Sequence, residues 1–227
     1  MIEKINKIKE CIDKTAIACG RDPDSIRLVT VSKTRSAQMV SKAVEAGATI
    51  LGENYIQESA DKIHTLASLD VSWHFIGHLQ TNKAKYAVRL FDLIHTVDSI
   101  KLARELNKHA EKINKIQNIL IQVNTAKDPS KSGIRPEKTL ELIKGLSQLK
   151  YLSVKGLMTM PPFFNDPENA RPFFSDLRNL KDLLMQEAVS NVMIDDLSMG
   201  MTGDYKVAIE EGATLVRIGT AIFGKRD

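Results

Sequence analysis

Short β-rich runs alternate with helical stretches along most of the 227-residue chain. Strict alternation of this kind implies parallel strands that are joined by right-handed crossovers through helices. Eight such units favour closure of the sheet into a (β/α)8 barrel. The eight predicted strands are Leu28–Val31, Thr49–Leu51, Trp73–Ile76, Leu93–Val97, Asn118–Val123, Val154–Met158, Asp195–Ser198 and Thr214–Ile218.

The alternative fold is an open, doubly wound sheet, which usually carries a glycine-rich turn after its first strand. Here the first predicted strand runs into Thr30–Thr34 (Thr-Val-Ser-Lys-Thr), which contains no glycine. A helix with apolar residues at helical spacing precedes the strands and ends at Gly20. No linker rich in glycine, serine or proline divides the chain. We therefore predict one α/β domain over residues 1–227, with an N-terminal helix at 1–20 and a TIM-type barrel at 28–224.

The composition excludes several other classes of protein. Hydrophobic residues make up 43% and charged residues 26% of the chain, which is ordinary for a globular protein and not for a disordered one. Basic residues number 32 against 28 acidic ones and aromatic residues are only 5%, so a nucleic-acid-binding surface is not expected. No apolar stretch approaches the length of a membrane span. The slight basic excess favours at most a small anionic ligand.

The N-terminal segment and the cysteines indicate the compartment. The first ten residues include acidic side chains and lack the apolar core of a signal peptide. Cys11 and Cys19 lie in the predicted helix, where eight residues rise about 12 Å, too far apart for a disulfide. Two unpaired thiols fit a reducing compartment, so we expect a cytoplasmic protein. No histidine or cysteine has the spacing of metal ligands, and no metal site is expected.

Two glycine-containing loops follow the last two predicted strands. The seventh strand runs into Ser198–Gly203, with two glycines and two hydroxyl side chains, and the eighth runs into Gly219-Thr220. These loops often form the phosphate site of such barrels, because glycine lets backbone N–H groups approach the oxygens. Together the two loops predict a phosphate-binding site.

A lysine, Lys33, ends the first predicted strand and is expected to point into the mouth of the barrel. Desolvation and nearby positive charge make such an amine nucleophilic toward carbonyl groups, although a solvated lysine at a strand end is the simpler alternative. A phosphate site that faces a lysine fits either a Schiff-base aldolase acting on a sugar phosphate or bound pyridoxal 5′-phosphate (PLP). His78, after the third strand, either contacts the ligand or anchors its loop.

Six motifs, in order from Leu28 to Gly224, resemble the signatures of the pyridoxal phosphate homeostasis proteins. They are Val29–Thr34, Gly52–Glu58, Trp73–Gln80 with Asn82-Lys83, Gly156–Met160, Leu197–Met201 and Val216–Gly224. One departure is Thr202, where the family pattern has serine, and threonine keeps the hydroxyl. The resemblance implies a single barrel related to the N-terminal domain of bacterial alanine racemase, with PLP as its cofactor.

The resemblance also implies a role for individual residues. Lys33 would form a Schiff base with the aldehyde of PLP, and Arg217 would face the pyridine nitrogen. Asn54 and His78 would line the side of the ring. The residues that it assigns to the phosphate end of the cofactor are Ser198, Met199, Gly200, Gly219 and Thr220.

The function implied by the resemblance is binding and buffering of PLP, without established turnover. A guanidinium such as that of Arg217 stays charged and only donates hydrogen bonds, so it disfavours a protonated ring nitrogen and weakens carbanion stabilisation. The alternative is a weak racemase-type enzyme, which also needs an acid–base tyrosine delivered by a second domain. The chain ends at Asp227, so we expect no such domain. The expected protein is a PLP-binding monomer, with apo PLP-dependent enzymes as candidate recipients of the cofactor.

Overall fold

The computed structural model is a closed barrel of parallel strands that alternate with helices. The structure describes residues 1–187, 189 and 192–224. Residues 188, 190, 191 and 225–227, which the single-domain prediction includes, lie outside the described residues. The strands are β1 (Arg27–Val31), β2 (Ile50–Glu53), β3 (Ser72–Phe75), β4 (Leu93–Val97), β5 (Gln117–Gln122), β6 (Leu152–Met158), β7 (Val192–Ser198) and β8 (Leu215–Ile218).

Helices connect successive strands on the outside of the barrel. The α-helices are α1 (Ile2–Ala18), α2 (Ala37–Glu45), α3 (Ile56–Thr65), α4 (Ala84–Leu90), α5 (Ile100–Glu111), α6 (Thr139–Leu146), α7 (Arg171–Met185), α8 (Tyr205–Glu210) and α9 (Thr220–Phe223). Short 3-10 turns occupy Pro23–Ser25, Thr81–Lys83, Pro136–Lys138 and Pro167–Ala170.

Each strand pairs in parallel with the next, and β8 pairs with β1 to close the sheet. Val29 of β1 lies between Ile50 of β2 and Arg217 of β8, so both neighbours are present at the seam of the barrel. This strand order confirms the predicted (β/α)8 barrel with an additional N-terminal helix. The prediction of a single domain with the boundaries given above stays a prediction.

Alternate side chains along each strand belong to different cores. The inner core fills the barrel below its mouth, and its residues are Val29, Leu93, Leu120, Met158 and Leu215. The other strand positions contribute to the larger core between the strands and the surrounding helices. On β1 the inward positions are Val29 and Val31. Because the side chains of a strand alternate between its two faces, the next inward position is Lys33, at the mouth.

The N-terminal helix α1 packs against α8 on the outside of the barrel. Ile5, Ile8 and Ile12 form its buried stripe, whereas Ile2, which has the same spacing, is 59% exposed because it lies at the end of the helix. The segment after α1 is tied to the barrel by Arg21, whose guanidinium donates a 2.6 Å hydrogen bond to the carbonyl of Ile209. Within the described ranges, the helices are too short or too polar to cross a membrane.

Candidate functional site

A cavity of about 530 Å³ opens at the C-terminal ends of the strands. We call it the mouth cavity. The predicted site residues that line it are Lys33, Asn54, His78, Arg217, Gly219 and Thr220. These residues come from four loops or strand ends that the barrel brings to one edge of the sheet. The location agrees with the general placement of functional sites in barrels of this type.

Three predicted residues, Ser198, Met199 and Gly200, do not line the mouth cavity. The side chains of Ser198 and Met199 are fully buried behind its wall. Gly200 adopts a φ of 88°, and a Cβ there would lie 2.6 Å from the Cβ of Ala208, so this glycine is required by close packing on α8. The assignment of these residues to the phosphate stays a prediction. Farther along the same loop, Thr202 reaches the cavity wall with Gly203 and Asp204.

The loops after β7 and β8 meet at the wall of the mouth cavity. Thr220 Oγ1 donates a 3.0 Å hydrogen bond to Thr202 Oγ1, so the two hydroxyl groups lie side by side. A Cβ at Gly219 would lie 3.1 Å from the carbonyl oxygen of Val31, so this glycine lets β8 end close against β1. The two loops that were predicted to act together are therefore adjacent, next to the strand end that carries Lys33.

The charged side chains that line the mouth cavity favour an anionic ligand. Lys33, Lys131 and Arg217 contribute positive charge, and Asp204 contributes negative charge. Asp204 is engaged by its own loop, because its Oδ1 accepts a 2.6 Å hydrogen bond from the backbone N–H of Met201. Burial raises the pKa of the Asp204 carboxyl, opposed by that hydrogen bond and by Arg217. The small basic excess of the sequence thus has a local counterpart at the mouth of the barrel.

Arg217 is held by one side chain and one backbone carbonyl of the barrel interior. One guanidinium nitrogen donates a 2.6 Å hydrogen bond to Ser198 Oγ, and the other terminal nitrogen donates a 3.0 Å bond to the carbonyl of Thr159. Burial lowers the pKa of Arg217 to about 10, with Asp204 acting in the opposite direction. The guanidinium therefore stays charged at neutral pH, and its orientation is set by Ser198 and Thr159.

Two buried histidines extend this chain of hydrogen bonds, and the sequence did not indicate their role. His95 Nδ1 lies 2.9 Å from Ser198 Oγ, and His95 Nε2 lies 3.0 Å from His74 Nδ1. Because arginine only donates, we assign the Ser198 hydroxyl hydrogen to His95 Nδ1 and the His95 Nε2 hydrogen to His74 Nδ1. Burial lowers the pKa of His74 to about 4 and that of His95 well below its usual value. Both rings are thus neutral at pH 7.

Asn54 provides a hydrogen-bond acceptor at the wall of the mouth cavity. Its Oδ1 is buried and has no hydrogen-bond partner within the part of the chain that the structure describes. Its backbone packs tightly on Gly77, where a Cβ would lie 2.3 Å from the carbonyl oxygen of Asn54. A buried polar atom without a partner is costly, so a donor group on a bound ligand would satisfy this oxygen.

Two longer loops, which the sequence analysis did not single out, also line the mouth cavity. Ser130–Ser132, between β5 and α6, contribute Lys131 and a hydroxyl that lies 3.4 Å from His78 Nδ1. Phe163 and Phe164, between β6 and α7, add an apolar rim, and Phe163 is 80% exposed. The length of these two loops in the sequence could have identified them as part of the site, because long loops at this end of a barrel commonly carry function.

Tyr55 and Tyr205 each follow a lining residue in the sequence but do not themselves line the mouth cavity. Tyr205, at the start of α8, interacts with Cys11 of α1, and burial together with this thiol raises the pKa of its hydroxyl to about 12. Tyr55 is 55% exposed. Among the described residues that line the cavity there is no tyrosine. The tyrosine that the racemase-type alternative was expected to need is therefore absent from these lining side chains.

The fold and the site define a barrel of the alanine racemase type. Residues 21–227 match the family described as alanine racemase, N-terminal domain. An alanine racemase structure from Clostridium difficile superimposes with a TM-score of 0.73 at 16% identity. That match covers 96% of this chain and 55% of the racemase chain, and at this identity it supports the fold alone.

Closer relatives define the family. The chain is 43% identical over 224 residues to the pyridoxal phosphate homeostasis protein of Aquifex aeolicus. The alignment covers 99% of this chain and 97% of that protein. The solved structure of PipY from Synechococcus elongatus with PLP bound superimposes with a TM-score of 0.83 at 34% identity. That match covers 94% of this chain and 100% of the PipY chain. The chain therefore belongs to the pyridoxal phosphate homeostasis protein family, and the resemblance inferred from its motifs is confirmed.

Proposed function

We propose that this protein binds PLP in the mouth cavity and takes part in PLP homeostasis by holding the cofactor and releasing it to apo-enzymes. The observation that carries this proposal is that Lys33 shares one cavity with the two adjacent loops after β7 and β8. Lys33 would hold the aldehyde as a Schiff base. The phosphate would lie against the hydroxyl groups and glycine backbone of Thr202, Gly203, Gly219 and Thr220.

The remaining predicted residues would serve in two places. Some would contact the ring of PLP, and the others would hold the cavity wall from behind. Asn54, whose side-chain oxygen lacks a partner, would accept a hydrogen bond from a ring substituent, and His78 would close the open side. The Ser198–Gly200 turn would act from behind the wall, chiefly through the bond from Arg217 to Ser198. In this proposal the turn orients the guanidinium and shapes the phosphate loop.

We propose binding and not turnover as the main role. Bound PLP supplies an aldehyde that condenses with amines and a ring that withdraws electrons, most strongly when its nitrogen is protonated. Arg217 stays charged at neutral pH and only donates hydrogen bonds, so it would keep that nitrogen unprotonated. No tyrosine is found among the described lining residues. Both features disfavour efficient removal and return of an α-proton.

The proposal includes the setting in which the protein works. We propose a cytoplasmic monomer, with apo PLP-dependent enzymes as recipients of the cofactor. A reducing compartment is supported by Cys11 and Cys19, which are free thiols, one half-buried and one exposed.

Borohydride reduction tests the binding proposal directly. The purified protein, incubated with PLP and reduced, should carry one pyridoxyl group on the peptide that contains Lys33, as located by mass spectrometry. Protein that remains colourless and unlabelled after incubation with PLP would contradict the proposal. Labelling of another lysine instead would leave binding intact and refute the assignment of Lys33.

A slow racemase is the second candidate, because the barrel is shared with alanine racemase. The test is exchange of the α-proton across a panel of small amino acids in deuterated water, with the PLP-loaded protein. The binding proposal expects exchange no faster than with free PLP. Faster exchange that disappears in Lys33→Ala would establish catalysis.

A further inference from the structure

A cluster of charged side chains lies outside the barrel, between α3 and the ends of β1 and β2, beside the residues that flank Lys33 in the sequence. We call it the β1–β2 clamp and define it as Glu53, Glu58 and Lys62. The ammonium group of Lys62 donates three hydrogen bonds, at 2.7 Å to the carbonyl of Ser32, 2.8 Å to Glu53 Oε1 and 2.5 Å to Glu58 Oε1. Lysine has three N–H donors, so all of them are used. None of the clamp residues lines the mouth cavity.

The clamp holds the backbone on both sides of Lys33. On one side, Lys62 binds the carbonyl of Ser32, and the Ser32 hydroxyl donates a 2.6 Å bond to Glu53 Oε1. On the other side, the backbone N–H of Thr34 donates a 2.5 Å bond to Glu58 Oε1. Residues 32–34 are thereby fixed to β2 and α3, with Lys33 between the two attachment points.

This attachment is needed because the turn is locally unfavourable. Thr34 adopts a φ of 64°, and a β-branched residue rarely occupies this left-handed region. Without its hydrogen bond to Glu58, the backbone at Thr34 would relax toward a more ordinary conformation. Such relaxation would rotate the peptide units that flank Lys33 and displace its side chain within the cavity.

Stability alone does not explain why these buried charges contact the backbone on both sides of Lys33. Buried ion pairs are often no more stabilising than apolar side chains of the same size, because the charges must be desolvated. Burial is the main cause of the raised pKa of the Glu53 carboxyl, which Lys62 opposes. Lys115, a half-buried lysine elsewhere in the fold, shows the contrasting case. Its ammonium binds the carbonyls of Val88 and Phe91 at the end of α4, and neither of these residues lines the mouth cavity.

We propose that Glu58 and Lys62 are positioning residues, which hold the turn at 32–34 so that the Lys33 amine meets the aldehyde of the ligand. This inference rests on the proposed binding of PLP. In that step the C=N bond forms between Lys33 Nζ and the aldehyde carbon, and the aldehyde oxygen leaves as water with the two hydrogens of the neutral amine. The clamp acts on this covalent step and not on the proposed phosphate contacts, which lie in the loops after β7 and β8.

The test compares PLP with pyridoxine 5′-phosphate, which has an alcohol in place of the aldehyde and cannot bond to Lys33. Dissociation constants for both ligands are measured by calorimetry for the wild type, Lys62→Met and Glu58→Ala. In both variants we expect the dissociation constant for PLP to rise about tenfold, because each removes one charged hydrogen bond to the backbone of residues 32–34. The constant for pyridoxine 5′-phosphate should stay within about twofold of the wild-type value.

Two further variants serve as controls. Lys115→Met removes a comparable lysine far from the cavity and should leave binding of both ligands unchanged. Glu58→Gln keeps an oxygen that accepts from Thr34, so PLP binding should recover most of what Glu58→Ala loses. If Lys62→Met fails to fold, Glu58→Ala decides the question, because the Glu58 side chain is 28% exposed and is not enclosed in the core.

The outcomes distinguish this inference from the proposed function. Equal loss of both ligands, or unchanged PLP binding in the clamp variants, would overturn the positioning role while the wild type still binds PLP. Failure of the wild type itself to take up PLP would overturn both the proposed function and this inference.

Discussion

Ser198 Oγ and the guanidinium of Arg217 are joined by a 2.6 Å hydrogen bond inside the barrel, below the mouth cavity. Ser198 is fully buried, and its hydroxyl also contacts His95. The serine of the loop that was predicted to hold the phosphate therefore orients the arginine. Substitutions along this chain should act on stability as well as on the ligand.

The first prediction concerns Ser198. Ser198→Ala removes the acceptor for Arg217 and leaves a buried charged donor with one fewer partner. We expect the free energy of unfolding to fall by about 1–3 kcal/mol. Urea denaturation without ligand measures this change. Ser41→Ala, which loses only an exposed bond to Glu45, should change stability by less than about 0.5 kcal/mol. Equal stabilities for the two variants would mean that the Ser198–Arg217 bond contributes nothing.

The second prediction concerns the pH dependence of stability. The pKa of His74 is about 4 in the folded protein and about 6.5 when unfolded, because burial disfavours its charged form. The unfolded chain thus takes up a proton below pH 6.5 that the folded chain does not. Stability is full above that pH and declines as the pH falls toward 4, by up to about 3 kcal/mol from His74. His95, whose pKa shifts in the same direction, adds to this decline.

Urea denaturation between pH 7 and pH 5 checks the effect of His74. His74→Gln keeps an acceptor for His95 and should flatten the decline, whereas removal of the exposed His64 in His64→Gln should leave it as in the wild type. An unchanged slope in His74→Gln would refute the assignment.

The third prediction concerns the glycine beside Asn54. Gly77→Ala would place a Cβ 2.3 Å from the Asn54 carbonyl oxygen, a distance that only a backbone shift can relieve. We expect a loss of about 1–3 kcal/mol in stability and weaker PLP binding, since Asn54 must move. At Gly203 a Cβ would meet nothing within 4 Å, so Gly203→Ala is the matched control for ligand-free stability. Similar melting temperatures for the two variants would contradict the close contact.

The fourth prediction concerns Lys33. Lys33→Ala should abolish the visible absorption band of covalently held PLP, because Lys131, the other lysine among the described residues that line the cavity, extends from a different loop. Binding should persist through the phosphate loops, with a dissociation constant raised by about tenfold or more. Absorption spectra and calorimetry measure the two effects. Lys150→Ala, at an exposed position outside the cavity, should keep the wild-type spectrum. A normal band in Lys33→Ala would refute the lysine assignment.

The strand order and much of the site could be predicted from local patterns. Alternation of strand and helix defined the barrel, and β8 closes on β1 as that prediction requires. The same argument brought Lys33 close to the loops after β7 and β8, because parallel strands end at one edge of the sheet. Strand boundaries were less accurate. The seventh strand begins at Val192 and not at Asp195, because the apolar run Val192-Met193-Ile194 belongs to it, with Ile194 buried and Met193 exposed.

The contacts that orient the site could not be predicted in this way. Whether Ser198 faces the ligand or the interior depends on how far each strand is shifted against its neighbours when the barrel closes. That closure brings Ser198 to His95, 103 residues earlier, and the packing of α3 against the strands brings Lys62 to the carbonyl of Ser32, 30 residues earlier. Residue type and spacing along the chain are enough to define a barrel with a lysine and two glycine-containing loops at its mouth. The partners of Arg217 and of the turn at Lys33 were decided by tertiary structure, because hydrogen bonds across a barrel depend on register and not on local pattern.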